Sequence, residues 1–415
     1  MFINIKHQKL ITETALFFIV MIFLIPHFYY QDDMDLWQEW ALALYSDGLK
    51  NIYEHEVNYQ PLFLYCLYGY SLLQGSESAI VQNITYIKII PLLFDIVPAS
   101  LLIFINRPKQ TSNYHLILFF NIAYLYNSMV WGQVDSIHTF LSLAAIFFAF
   151  RYPFWSVALF ILAFNTKIQS IIFLPILAVV LLLKIKSVKK LLLLILWGLS
   201  IEAIILLPFL ISGKIHQYLV VITGSIGYYP IVSMNAFNFW YLISKYNPMA
   251  IHDDTLIRHL ISYKKAGLLL FLFFSTITLI PLLIKTIRAI FIRKISAKYY
   301  EIVFLTSGLV ALIFFYFNTE MHERYSHPAL LSLFFYGVYK RNFNLYILVS
   351  IAYFLNMEKV LQYYMLPYDS FIFHNKVIAS LFLAIILIGL YRLYGAYNLK
   401  IDLNLFKAAL FQKDK

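Results

Sequence analysis

The 415-residue chain has one cysteine, Cys66, and only 13% charged residues. A single cysteine excludes an intrachain disulfide framework and a cysteine-based metal cluster. A soluble protein of this length carries roughly 25% charged residues. The shortfall, against 61% hydrophobic residues, leaves no soluble domain of useful size. The first apolar run, which follows Lys6 and Lys9, lacks the small-residue cleavage motif of a signal peptide, and bulky Tyr29-Tyr30 follow it instead. It reads as a retained helix with a cytoplasmic N-terminus.

What is present is apolar sequence in long runs, several near the ~20 residues that a spanning helix needs. Runs bounded by polar turns fall at 11–29, 84–105, 114–131, 136–151, 153–166, 169–184, 191–212, 266–284, 302–317, 328–340, 343–356 and 376–395. The expected fold is all-α and polytopic, a single 1–415 domain of about twelve transmembrane helices with both termini inside. Segment 61–73 (PLFLYCLYGYSLL) is too short to cross comfortably and reads as a re-entrant or interfacial helix. Parity agrees. If it crossed, the Arg107-Pro108-Lys109 loop and every later basic loop would move outside. Without that crossing most of the 32 Lys and Arg lie on inner loops, among them Lys184, Lys186, Lys189, Lys190, Arg288, Arg293 and Arg341. The net charge of +11 is therefore topological, and no nucleic-acid partner is expected. The lipid bilayer is.

Two long outer segments result, 31–83 and 213–265. Loops of that length in a compact protein are usually functional. The first opens with Asp32, Asp33 and Asp35, then an amphipathic stretch from Asp35 to Leu49 that ends at Gly48. Other outer polar clusters are Asn58-Tyr59-Gln60-Pro61, Lys88, Trp131-Gly-Gln133-Val-Asp135, Asn165-Thr-Lys167-Ile-Gln169 and Met321-His322-Glu323-Arg324-Tyr325. The clusters at 131–136 and 165–169 are tight turns, expected to project into an outer vestibule or the headgroups. Each has a plain alternative: an acidic helix flank, a snorkelling lysine, a surface charge cluster. Asp95 and Glu202 lie inside spans, where ionisable groups are either functional or paired for packing. Together, acids after the first span and cations from distant parts of the chain suit transfer from a phosphate-linked donor. A carboxylate accepts the proton of an attacking hydroxyl, and cations neutralise the departing phosphate, arginine bidentately.

These residues resemble the GT-C superfamily of membrane glycosyltransferases that use polyprenyl-phosphate sugars. The likeness spans roughly 10–330 and is strongest to bacterial relatives of the GPI-anchor mannosyltransferases and to dolichyl-phosphate-glucose glucosyltransferases. It rests on Asp33 seven residues before Trp40, Gly48-Leu49-Lys-Asn-Ile-Tyr53, Asn58-Tyr59-Gln60-Pro61, and Lys88 seven before Asp95. It continues through Trp131-Gly-Gln133-Val-Asp135, Lys167-Ile-Gln169 before Pro175, Asn235-Ala-Phe-Asn238-Phe-Trp240 and Met321-His-Glu-Arg-Tyr325. The resemblance implies a GT-C-like fold and inverting hexosyl transfer from a polyprenyl-phosphate-linked sugar to a glycan, lipid or protein acceptor. The active site would face outward from what reads as a bacterial inner membrane. Asp33 would be the base, with Asp35 in reserve, and Lys167, His322 and Arg324 would grip the donor phosphate. Trp40, Asn58, Tyr59, Lys88, Gln133, Asp135, Gln169, Asn235 and Glu323 would contact substrate.

Two departures matter. Asn58 and Gln60 replace Asp and Pro of the family's Asp-Tyr-Pro-Pro motif, so no base stands at 58. Asp33-Met34-Asp35 also forms an Asp-x-Asp arrangement able to hold a divalent metal. Chemistry without a cofactor ranks above it, because the protein supplies its own cations. The competing function is a transporter or flippase of a lipid-linked saccharide. Polarity gathered on one face, rather than through the membrane, favours chemistry over alternating access.

Overall fold

The computed structural model describes residues 5–25, 30–105, 113–225, 227–293 and 295–395. The end of the first expected span (26–29) lies outside these residues. So do Arg107, Lys109, Lys294, Lys400, Lys407, Lys413 and Lys415. Among the described residues the protein is all-α apart from a small antiparallel hairpin that pairs Leu256–Ile257 with Ile261–Ser262. Five helices among them are long and apolar enough to cross a membrane: Glu77–Phe104, Val188–Ile211, Tyr263–Ile292, Ala297–Phe317 and Asn375–Gly395. Of the other expected spans, the first and the one at 343–356 are continuous helices, Ile5–Phe23 and Asn344–Leu361, and the rest take shorter or broken forms. Residues 114–131 divide into helices Tyr114–Phe119 and Ile122–Leu125 and a π-helical turn, Tyr126–Trp131. Helix Asp135–Ala149 has 15 residues, about 22 Å of rise against a ~30 Å hydrocarbon core.

The chain forms two compact units. One contains residues up to 147, 154–171 and 192–228; the other contains 148–153, 172–191 and 229 onward.

The core of the first unit is built around helix Gln31–Asp47. Its buried residues, Met34, Trp37, Trp40, Ala41 and Leu44, recur at helical spacing and form one face. Asp32 and Asp33 lie in its first turn, where the positive end of the helix dipole favours acids. Gly48, at φ +75°, ends it, a backbone state that costs glycine little. Helix Pro61–Gln74 packs on that face through Phe63, Leu64 and Leu67. Its 14 residues rise about 21 Å. The first helix, Ile5–Phe23, is tied to Tyr114–Phe119 by Glu13, whose carboxylate lies 2.8 Å from His115 Nε2.

In the second unit helix Ala297–Phe317 is buried along almost its whole length. Helices Tyr263–Ile292, His327–Lys340 and Asn375–Gly395 pack around it. Small residues permit close approach: a Cβ on Gly308 would meet Leu333 Cγ at 2.7 Å, and one on Gly389 would meet Leu309 Cδ2 at 2.5 Å. Ring stacking adds to the contact, as with Tyr300 on Tyr339 at 5.1 Å and Phe274 on Phe317 at 4.7 Å.

Candidate active site

Helical phase sorts the three acids. Asp33 lies on the flank of the buried face, one turn before Trp37, and is half-buried. Asp35 is about 200° further round the helix and exposed, as is Asp32. The Asp33 and Asp35 carboxylates therefore leave the helix on different sides and do not converge as a chelating pair.

Asp33 Oδ2 accepts a hydrogen bond from Trp131 Nε1 at 2.8 Å. One turn on, Trp37 Nε1 donates to the Gly132 carbonyl at 3.1 Å. Two indoles thus clip the first outer helix to the Trp-Gly-Gln-Val-Asp turn. Gly132 has φ +83°, and a Cβ there would sit 2.6 Å from Met34 Cε and 3.4 Å from Lys88 Cε. The left-handed backbone favours glycine, and a side chain there would displace the flexible tip of Met34. Lys88, fully buried, runs its stem past Gly132 and donates to the Met129 carbonyl at 3.1 Å. Tyr30 stacks on Trp131 at 5.1 Å.

The same turn leads into a buried charge cluster. Asp135 Oδ1 is 2.5 Å from Lys167 Nζ, and Asp135 Oδ2 accepts from Asn127 Nδ2 at 3.1 Å. His138, one helical turn on, places Nε2 3.6 Å from Asp135 Oδ1, and its Nδ1 lies 3.3 Å from Ser170 Oγ. Lys167 Nζ also lies over the Tyr59 ring, 5.9 Å from its centroid. Tyr59 donates to Gln133 Oε1 at 3.3 Å, and its carbonyl accepts from Tyr53 OH at 3.0 Å. Burial pushes the Tyr53 phenol well above its ordinary range, reinforced by Tyr218 and Tyr65, so it stays a donor. The turns at 131–136 and 165–169 are therefore joined by an ion pair with both partners nearly sealed, and their polar side chains turn inward. Burial of that pair is tolerable because each charge has an opposite partner and further hydrogen bonds.

Of the remaining residues singled out from sequence in this unit, Trp40 is buried edge-on to Trp37 at 5.2 Å. Gln169 and Asn58 are half-buried, and neither side-chain oxygen has a hydrogen-bond partner among the described residues. The two acids expected inside spans are both engaged. Asp95 accepts from the Ser128 hydroxyl, and Glu202 accepts from Asn165 Nδ2 at 2.6 Å.

The second unit holds Asn235, His322, Glu323 and Arg324, and they form a second cluster. Asn235, at φ +60°, bridges to His322, and Met234 N donates to the Met321 carbonyl at 2.9 Å. Asn356 locks the loop: its Nδ2 donates to the Asn235 carbonyl and its Oδ1 accepts from Phe237 N, both at 2.9 Å. Arg324 Nη1 is 2.6 Å from Glu323 Oε1 and 3.5 Å from His322 Nδ1. His322 packs edge-on to Tyr229 at 5.1 Å. The 235–240 and 321–325 motifs are thus neighbours.

Sequence reasoning missed Trp37 and Trp131 as ligands of the turn and of Asp33, and Asn127, His138 and Asn356 as anchors. His138 carried a readable signal, three residues after Asp135 on one helix face. The indole contacts cross almost a hundred residues and carried none. Among the described residues the one group of ligand-type side chains close enough for a metal is His252, Asp253 and Asp254. Asp253 there already faces Lys264 at 3.6 Å and accepts from Thr319 at 3.1 Å. No protein-family model and no curated protein matches the chain.

Proposed function

We propose that the protein is an inverting glycosyltransferase that moves a hexose from a polyprenyl-phosphate donor to an acceptor at the outer face of a membrane. The observation that carries this reading is the Asp33–Trp131 hydrogen bond. It joins two elements of the resemblance that lie far apart in sequence and fixes the orientation of one carboxylate. With Oδ2 held by the indole, the other carboxylate oxygen, Oδ1, is the proposed proton acceptor. In the step, the acceptor hydroxyl oxygen bonds to the sugar's anomeric carbon from the face opposite the phosphate. Its proton passes to Asp33, the carbon–oxygen bond to phosphate breaks, and the electron pair leaves on polyprenyl phosphate. General-base assistance of this kind contributes ~10²–10⁴-fold. The resemblance makes Lys167, His322 and Arg324 the proposed phosphate ligands; within its own unit Lys167 is held by Asp135, and within the other Arg324 is held by Glu323.

Twelve crossings, cytoplasmic termini and a bacterial inner membrane complete the reading, supported by the side-biased basic loops. The test is mass spectrometry of lipid-linked glycans made with wild-type protein and with Asp33→Asn, each checked for membrane insertion. Loss of a glycan product in the variant is expected. Full product from Asp33→Asn would remove the assigned base. Movement of sugar lipid in proteoliposomes without transfer would replace the reading with a transporter.

A further inference from the structure

A groove of about 500 Å³ runs between the 53–58 segment and helix Ile215–Gly224 in the first unit. Its size falls within the ~300–1,000 Å³ usual for small-molecule sites. Three features of its lining define what it takes. First, Asn58 and Gln217 both line it, and Oδ1 of the one and Oε1 of the other are acceptors with no hydrogen-bond partner among the described residues. Both oxygens are sealed from solvent as they stand, and rotation about the soft terminal torsion of the carboxamide turns each toward a donor placed in the groove. Second, the wall carries one carboxylate, Glu56, two histidines, His55 and His216, and no lysine or arginine among the described residues; His55 Nε2 already lies 2.8 Å from Asp47 Oδ2. A lining without a fixed cation favours a neutral ligand over a phosphate. Third, Val57 and Val221 give an apolar stretch, and Tyr228, 53% exposed, offers an aromatic ring. Hydroxyl donors on one side and an apolar face on the other are the chemistry of a neutral pyranose.

The position of the groove adds to this. Asn58 lines it, while the next residue, Tyr59, reaches Gln133 and lies beneath Lys167. Consecutive residues thus serve the groove and the charge cluster.

We propose that this groove binds the acceptor as a neutral saccharide, whose hydroxyls donate to the Asn58 and Gln217 carboxamides and whose apolar face lies along Tyr228 and the valines. The assignment as acceptor rests on the glycosyl-transfer reading; the saccharide site itself is tested separately. Full-length protein in lipid nanodiscs is titrated with methyl glycosides of mannose, glucose and galactose, followed by saturation-transfer NMR. At least one glycoside binds. Asn58→Leu and Gln217→Leu each weaken it about tenfold, the loss of one hydrogen bond. Val220→Trp, an exposed position on the groove wall, blocks it without removing a buried polar group. Absence of binding by every glycoside, binding unchanged in all three groove variants, or displacement by inorganic phosphate overturns the site. Transfer activity with no groove binding sinks the groove alone. Groove binding with no transfer from any polyprenyl-phosphate sugar sinks the glycosyltransferase reading alone.

Discussion

Asp33 and Asp35 differ by two positions and by half a helical turn. Both sit near a helix N-terminus, where acids are stabilising whatever their role, so their presence alone argues little. What separates them is Trp131, which donates to Asp33, and exposure, which leaves Asp35 in solvent. Asp33→Asn should lower turnover by ~10²-fold or more, whereas Asp35→Asn should change it by less than about tenfold; steady-state assays of the two variants side by side check the assignment. A similar loss from Asp35→Asn would move the base to that residue. Asp135 and Lys167 make a different residue-scale case. Removing one partner of a buried ion pair strands the other and costs about 3–5 kcal/mol. Asp135→Asn should therefore lower the unfolding temperature in detergent markedly. The double variant Asp135→Asn, Lys167→Met should recover much of that loss, because no charge remains stranded. Equal destabilisation by single and double variants would show that the pair does not govern stability.

At the scale of elements, the Trp-Gly-Gln-Val-Asp turn is the joint of the first unit. It receives Asp33, Trp37 and Met34 from one helix and the stem of Lys88 from another. Gly132→Ala places a methyl 2.6 Å from Met34 Cε and forces an L-residue into the left-handed region, costing ~1–2 kcal/mol before any steric term. It should loosen the first outer helix, seen as faster amide hydrogen exchange over 31–47. Trp131→Phe keeps an aromatic ring at this buried position, removes the N–H to Asp33 and trims the indole that stacks on Tyr30. Its expected effect is a fall in turnover together with a lower unfolding temperature. Protection over 31–47 unaltered by Gly132→Ala would show that the turn does not hold the helix. Much of this element was legible in sequence. The amphipathic run ending at Gly48 is a helix with its stop, and 61–73 is a helix too short to span comfortably. The motif residues 131–135 lie together in one turn. The helix begins earlier than the pattern suggested, at Gln31, because its first turn is polar and carries no apolar period. Residues 114–131 are broken because Asn121 caps a new helix by accepting from Tyr124 N, a local hydrogen bond that hydropathy does not register. The inward turn of Asp135 and Lys167 was illegible because their pairing is a tertiary contact between two loops.

For the whole molecule the question is sidedness. Hydropathy counts helices, but only the parity of crossings decides which later loops share the face of Asp33, and that parity turns on Pro61–Gln74. At about 21 Å this helix falls short of the ~30 Å core, and its buried side packs on helix Gln31–Asp47, a surface that it would have to leave in order to cross. If it does not cross, Ser78 and Lys245 share the outer side, while Ser187 and Arg341 lie inside with the basic loops. If it crosses, Ser78, Ser187, Arg341 and Lys245 all exchange sides relative to Asp33. The chain's lone cysteine makes this measurable. In a Cys66→Ser background, single cysteines at those four exposed positions are treated in intact spheroplasts with a membrane-impermeant maleimide. Ser78→Cys and Lys245→Cys should label at once, and Ser187→Cys and Arg341→Cys only after lysis. The reverse pattern would place Pro61–Gln74 across the bilayer. Asp33 precedes that crossing and the Trp131 turn follows it, so the two would then lie on opposite faces, and the hydrogen bond that orients the proposed base would fail with the crossing.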